Sequence, residues 1–150
     1  MTAAGDQIYA ILVTPTAARA VSIATSAKQL AEQVDALRDT ISTVENGKRM
    51  TYAFDVGLSH QVYTQLFGPF DAQLRGVKHL IFEPDGAMLR LPANLLVMDQ
   101  ASVDAYKRRS AAGGDAEFDF RGIQWFGRDR DISTSVSPRA FAQLRSAPRS

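Results

Sequence analysis

The chain has 150 residues, 17 basic and 16 acidic side chains, two histidines and no cysteine, for a formal charge of +1. That balance leaves no global field to draw it to nucleic acid or an anionic membrane. The missing cysteines remove disulfides, thiolate metal sites and any cysteine nucleophile. Hydrophobic content of 45% is ordinary for a globular domain, and a chain of 150 residues is enough for one core rather than two. The opening Met1-Thr2-Ala3-Ala4-Gly5-Asp6 has no basic leader pattern. No apolar run approaches the roughly 18 residues of a membrane span. A soluble, cytoplasmic single domain is expected.

Ile8 to Val13 is apolar at every position, as in a strand covered on both faces. Thr14-Pro15-Thr16-Ala17 is a turn, and Arg19 to Ala24 alternates, so an N-terminal β-hairpin is predicted. Ser26 and Gln29 have capping-box spacing, and Leu30, Val34, Leu37, Ile41 and Val44 form one helical stripe. Asn46-Gly47 then reads as the helix end. A second helix is predicted over Ser59 to Leu74, kinked or split at Gly68-Pro69. Val77 to Phe82 reads as a strand, Glu83-Pro84-Asp85-Gly86 as a tight turn, and Met88 to Leu91 as a second short strand. Pro92 to Leu96 reads as a helical turn.

Asp99 to Gly122 lacks clear periodicity, and an exposed, protease-sensitive loop is predicted there, with Lys107, Arg108 and Arg109 as its cutting sites. Six basic and seven acidic residues lie between Asp99 and Asp131, so the basic triplet is locally balanced and points to no nucleic-acid patch. Trp125-Phe126-Gly127 returns to the core, Ile132 to Val136 reads as a strand, and Ser137-Pro138 opens a helix through Leu144.

Few residues suggest chemistry. Asp55, Ser59 and His60 hold the residue types of a catalytic triad, but they lie on one short stretch without a Gly-x-Ser-x-Gly elbow, and Ser59 reads as a helix cap. His60 and His79 lack the spacing of a zinc pair, and His79 reads as a surface imidazole. Glu83 and Asp85 flank a proline turn that accounts for Asp85, while Asp71 lies well upstream. Gly113-Gly114 lacks the Lys-Ser/Thr pair of a phosphate loop. No residue is assigned to catalysis, to a cofactor or to a metal.

The stretch Val77-Lys78-His79-Leu80-Ile81-Phe82-Glu83-Pro84-Asp85-Gly86-Ala87-Met88-Leu89-Arg90-Leu91-Pro92 resembles a signature near the start of CHAT domains. These are caspase-like modules often found behind tetratricopeptide repeats. Tyr63, Leu66, Pro69 and Leu74 are similar to that family's preceding helix, and Ile132-Ser133 through Pro138 to its strand-to-helix junction. The resemblance implies a caspase-like three-layer sandwich with a mixed, mostly parallel sheet, of which residues 1–150 supply the N-terminal part. It also implies a His–Cys dyad beyond the junction. His60 and His79 precede that point and neither is followed by glycine, so no residue here corresponds to it.

The expected function is the scaffold segment of a cysteine-peptidase-like protein, inactive alone, with a sheet edge left for further strands. The alternative is a non-catalytic, degenerate caspase-like module that docks proteins or peptides. The partners implied are proteins or peptides, including tetratricopeptide repeats of the same protein, and neither nucleic acid nor membrane.

Overall fold

The computed structural model describes residues 2–135 and 137. Its first unit is the expected hairpin: β2 (Gln7–Val13) and β3 (Ala18–Ser26) run antiparallel, and Thr14 N–H donates to Ala17 O at 2.8 Å across the turn. A short strand β1 (Thr2–Ala4) flanks β2 only as far as the Thr2–Tyr9 pair. The β2–β3 register slips between Gln7 and Ile8, and Gln7 Nε2 patches the irregularity by donating to Ile23 O at 2.8 Å.

Strand alternation sends Ile8, Ala10, Val21 and Ile23 to the core. It sends Tyr9, Ile11 and Val13 outward, where they are 41%, 58% and 72% exposed. The apolar run is therefore covered on one face, not on both as predicted. Helix α1 (Ala27–Ile41) and helix α2 (Val56–Leu66) cover that inner face.

Helix α1 starts on the predicted capping box, with Gln29 N–H donating to Ser26 Oγ at 3.1 Å and Ser26 N–H to Gln29 Oε1 at 3.2 Å. Leu30, Val34 and Leu37 are buried, but Ile41 and Val44 are exposed because the helix stops at Ile41. Asn46 and Gly47, with φ of 50° and 75°, are not a helix terminus. They form the two-residue turn between β4 (Thr43–Glu45) and β5 (Lys48–Met50), a hairpin whose twist needs both residues left-handed.

The second helix starts earlier than predicted. Asp55, not Ser59, caps α2 by accepting from Leu58 N–H at 2.9 Å, and Ser59 lies fully buried inside the helix. Pro69 ends α2 and splits the segment into a 3₁₀ turn at Gly68–Phe70 and a short helix α3 (Asp71–Leu74).

Beyond them, β6 (His79–Phe82) pairs in parallel with β7 (Asp131–Thr134). The predicted strand at Met88–Leu91 is instead a 3₁₀ helix over Gly86–Arg90. Met88 and Leu91, three residues apart, both turn inward in that geometry, and Asp85 Oδ1 accepts from Gly86 N–H at 2.7 Å to start it. Arg38 Nη1 donates to Arg90 O at 2.7 Å, and Asp35 pairs with Arg90, tying this turn to α1.

The predicted loop at 99–122 contains helix α4 (Gln100–Ser110), followed by a 3₁₀ turn at Gly114–Phe118. Asp99 caps α4 by accepting from Ser102 N–H at 2.7 Å, and Lys107, Arg108 and Arg109 sit in its last turn, where cations favour the helix dipole. Val103 and Tyr106 bury in a second core with Val56, Val97 and Ile123. Only these two large apolar residues anchor the helix, which is why its period was invisible. The return segment docks by Phe126 N–H to Leu96 O at 2.7 Å and by Val97 opposite Trp125.

The chain is thus α/β, but the expected mostly parallel sheet is absent from the described residues. β1–β2–β3 and β4–β5 are antiparallel, and only β6–β7 is parallel. The helix expected over Ser137–Leu144 lies outside the described residues. Among those residues, no helix is long and apolar enough to cross a membrane.

Two outcomes follow from this packing. Trypsin will make its first cut within residues 2–137 at Lys48 or Arg49 in the exposed β5, not at Lys107–Arg109, as mass spectrometry of limited digests will show. Gly127→Ala will cost about 1–3 kcal/mol in urea unfolding, because its new Cβ would lie 3.0 Å from Asn94 Cα and closer still to Asn94 Cβ.

Candidate functional site

The triad-type residues do not assemble. Ser59 Oγ donates to Leu95 O at 2.9 Å and accepts from Val97 N–H at 3.2 Å, which spends the hydroxyl on joining α2 to the 95–97 segment. His60 Nδ1 lies 3.0 Å from Val97 O, while the Asp55 carboxylate caps the start of the same helix. All three are structural here. His79 is a surface imidazole as expected, 3.2 Å from Asp131 Oδ2 at the head of the parallel pair. Asp85 caps its turn, and Asp71 accepts from Tyr63 Oη at 3.0 Å, so the two carboxylates serve separate local bonds.

The feature that stands out is an apolar cleft of about 740 Å³ between β2 and β6. Its floor is Leu66, Phe67, Phe70 and Leu74, which helical spacing places on one side of the segment, before and after Pro69. Its walls are Ala10–Val13 and His79–Phe82, and Gln73, Glu83 and Ser135 stand at the rim.

Consecutive residues of both strands line this space. Ala10 and Leu12 point to the core face and Ile11 and Val13 to the outer face, yet all four border the cleft. The same holds for Leu80 and Phe82 against His79 and Ile81. Neighbouring residues of a strand point to opposite faces, so a space bordered by all of them runs along a strand edge. β3 occupies one side of β2 and β1 the other as far as Tyr9, while β7 occupies one side of β6; among the described residues this leaves the Ala10–Val13 part of one β2 edge and the opposite edge of β6 at the cleft.

Behind the floor the aromatic rings interlock. The Phe67 centroid is 4.6 Å from Phe126, 5.4 Å from Phe82 and 5.9 Å from Tyr63. Arg130 lies 4.5 Å over the outer side of Phe126. Burial, then the hydrogen bond to Asp71, pushes the Tyr63 hydroxyl up to about 12. At the far end of the molecule, hydrogen bonds from Arg121 hold the Asp119 carboxylate well below its usual range, and Arg109 Nη2 donates to Arg121 O at 2.6 Å. That network fastens the end of α4 to the turn after it.

The sequence carried one signal for the cleft without its meaning. Ile11 and Val13 read as apolar positions of a strand covered on both faces, and the structure leaves them, with Ile81, more than half exposed. Tyr63→Phe will keep the ring packing and lose the Asp71 bond, for a loss of about 1 kcal/mol at neutral pH. The raised pKa makes the neutral phenol part of the fold, so its stabilisation is complete below pH 10 and fades as pH rises toward about 12. Urea midpoints of the two proteins will therefore converge above pH 10. Comparison with family models, with curated proteins and with solved structures finds no match to this chain.

Proposed function

We propose that this chain is a non-catalytic protein-binding unit that holds a peptide segment of another protein in the cleft between β2 and β6. The observation that carries this reading is the cleft itself, about 740 Å³ with an apolar floor and two strands for walls. That volume falls within the range of small binding sites, and a mostly apolar lining with a few polar groups at the rim is their usual composition. The residue types of a catalytic triad are spent on structural bonds away from it.

A second reading keeps the resemblance to CHAT domains in front. In it the chain is the scaffold portion of a caspase-like three-layer sandwich, inactive alone, whose thiolate chemistry comes from residues outside this chain. The parallel pairing of β6 with β7 across an intervening helix favours this reading, since such crossovers build three-layer α/β folds.

The test is an amide NMR titration of the full chain with a short valine- and isoleucine-rich peptide flanked by lysines. Shifts will concentrate on Ala10–Val13, Phe67, Phe70 and Leu80–Phe82. Shifts centred on α4, or none at saturating peptide, will refute binding at the cleft.

A further inference from the structure

We infer that the cleft takes its ligand as an added β-strand: one extended, uncharged apolar segment of a partner protein, paired on both its edges, with β2 on one side and β6 on the other. This rests on the protein-binding reading above and names how the partner is held.

The backbone supplies the first argument. In the antiparallel β2–β3 ladder, pairing alternates inward and outward along the strand. The turn bond from Thr14 N–H to Ala17 O fixes the phase, so Leu12 and Ala10 exchange bonds with Arg19 and Val21. Ile11 and Val13 therefore turn their N–H and C=O groups to the other edge. β1 reaches only to Tyr9 and covers neither. On β6, Asp131 N–H donates to Lys78 O at 2.8 Å and Ser135 N–H to Phe82 O at 3.0 Å. These bonds put the even-numbered residues of β6 against β7, which turns the N–H and C=O of His79 and Ile81 toward the cleft. Two rows of strand donors and acceptors thus border one apolar space, and an extended backbone is the ligand that matches both rows.

Side chains set the rest of its chemistry. An inserted strand would point alternate residues at the floor of Leu66, Phe67, Phe70 and Leu74, where a charge would be costly to desolvate. Its other residues would join the outer hairpin face, made of Tyr9, Ile11, Val13, Ala18, Ala20, Ser22 and Ala24, which carries no charge. The occupant is therefore apolar on both faces, the composition of a central strand. The four residues Ala10–Val13 of free β2 edge span about 13 Å, room for a strand at the short end of the usual range.

Among the described residues, no strand of a second copy fits. A strand between two edges must have both of its own edges free, whereas each of β1 to β7 is already paired on at least one side. The partner therefore offers an extended segment, not the rim of a folded sheet.

Hydrogen exchange by NMR on the full chain tests this, with the lysine-flanked valine–isoleucine peptide and the same peptide N-methylated at alternate residues. Ile11, Val13 and Ile81 amides will gain protection on binding, and N-methylation will weaken binding by about tenfold through the lost backbone bonds. Ile11→Pro removes one outward N–H while sparing the β3 ladder, and will weaken the unmethylated peptide by several-fold. Equal binding of both peptides will overturn strand addition while leaving the cleft reading intact. Binding of neither will overturn both. Protection of the same amides in a self-associated chain without peptide, seen by sedimentation, will overturn the partner in favour of a second copy.

Discussion

Phe67 is the residue on which the structure depends. It follows the last turn of α2, where Pro69 forbids the helix to continue, and its ring is 6% exposed. From there it touches Tyr63 on the helix, Phe82 on β6 and Phe126 on the return segment. Three parts of the chain far apart in sequence thus meet on one ring. Leu66, Phe70 and Leu74 follow one another at steps of four and share a side of the segment with Phe67, so helical spacing sets the floor of the cleft and Pro69 ends α2 within it.

The same ring links packing to function. Phe82 of β6 rests against Phe67 and β6 does not pair with β2, so the space between the two strands stays open. β2 is paired on one edge by β3 and, as far as Tyr9, on the other by β1, and β6 is paired on one edge by β7. A sheet normally joins such edges, since unpaired backbone groups along an apolar strand invite another strand. Here both are kept apart by the width of the helical floor. The uncharged outer hairpin face continues the same surface, so the edge and the face present one chemistry to a partner.

Legibility in the sequence followed the range of the interactions. The capping box of α1 and the hairpin around Pro15 each rest on residues within a few positions, and both formed as read, whereas Glu83–Gly86, read as a tight turn, is an extended lead into a 3₁₀ helix. The errors came where a local signal had two outcomes. Asn46-Gly47 suits a helix end and a two-residue hairpin turn equally, and the pairing of Val44 with Arg49 chose the hairpin. Ser59 suits a cap, but the acceptor at Leu95 O lay 36 positions away and pulled it into the helix interior. Helix α4 escaped notice because its buried face has few large apolar residues, and its order comes from Asp99 at one end and the Arg109–Asp119–Arg121 network at the other.

By itself the sequence determined the α/β character, the first hairpin, the start of α1, and the apolar positions on both sides of the Ile8–Val13 strand. These follow from spacing of 2 or 3.6 residues and from capping groups a few positions apart, which the chain carries wherever it folds. Tertiary structure alone decided that Tyr9, Ile11 and Val13 face outward uncovered, that β6 pairs with β7 and not with β2, and that a cleft separates them. Periodicity reports which residues share a face. It cannot report what covers that face, because coverage depends on where remote segments are held, and here contacts of the Phe67 ring with Phe82 and Phe126 hold them.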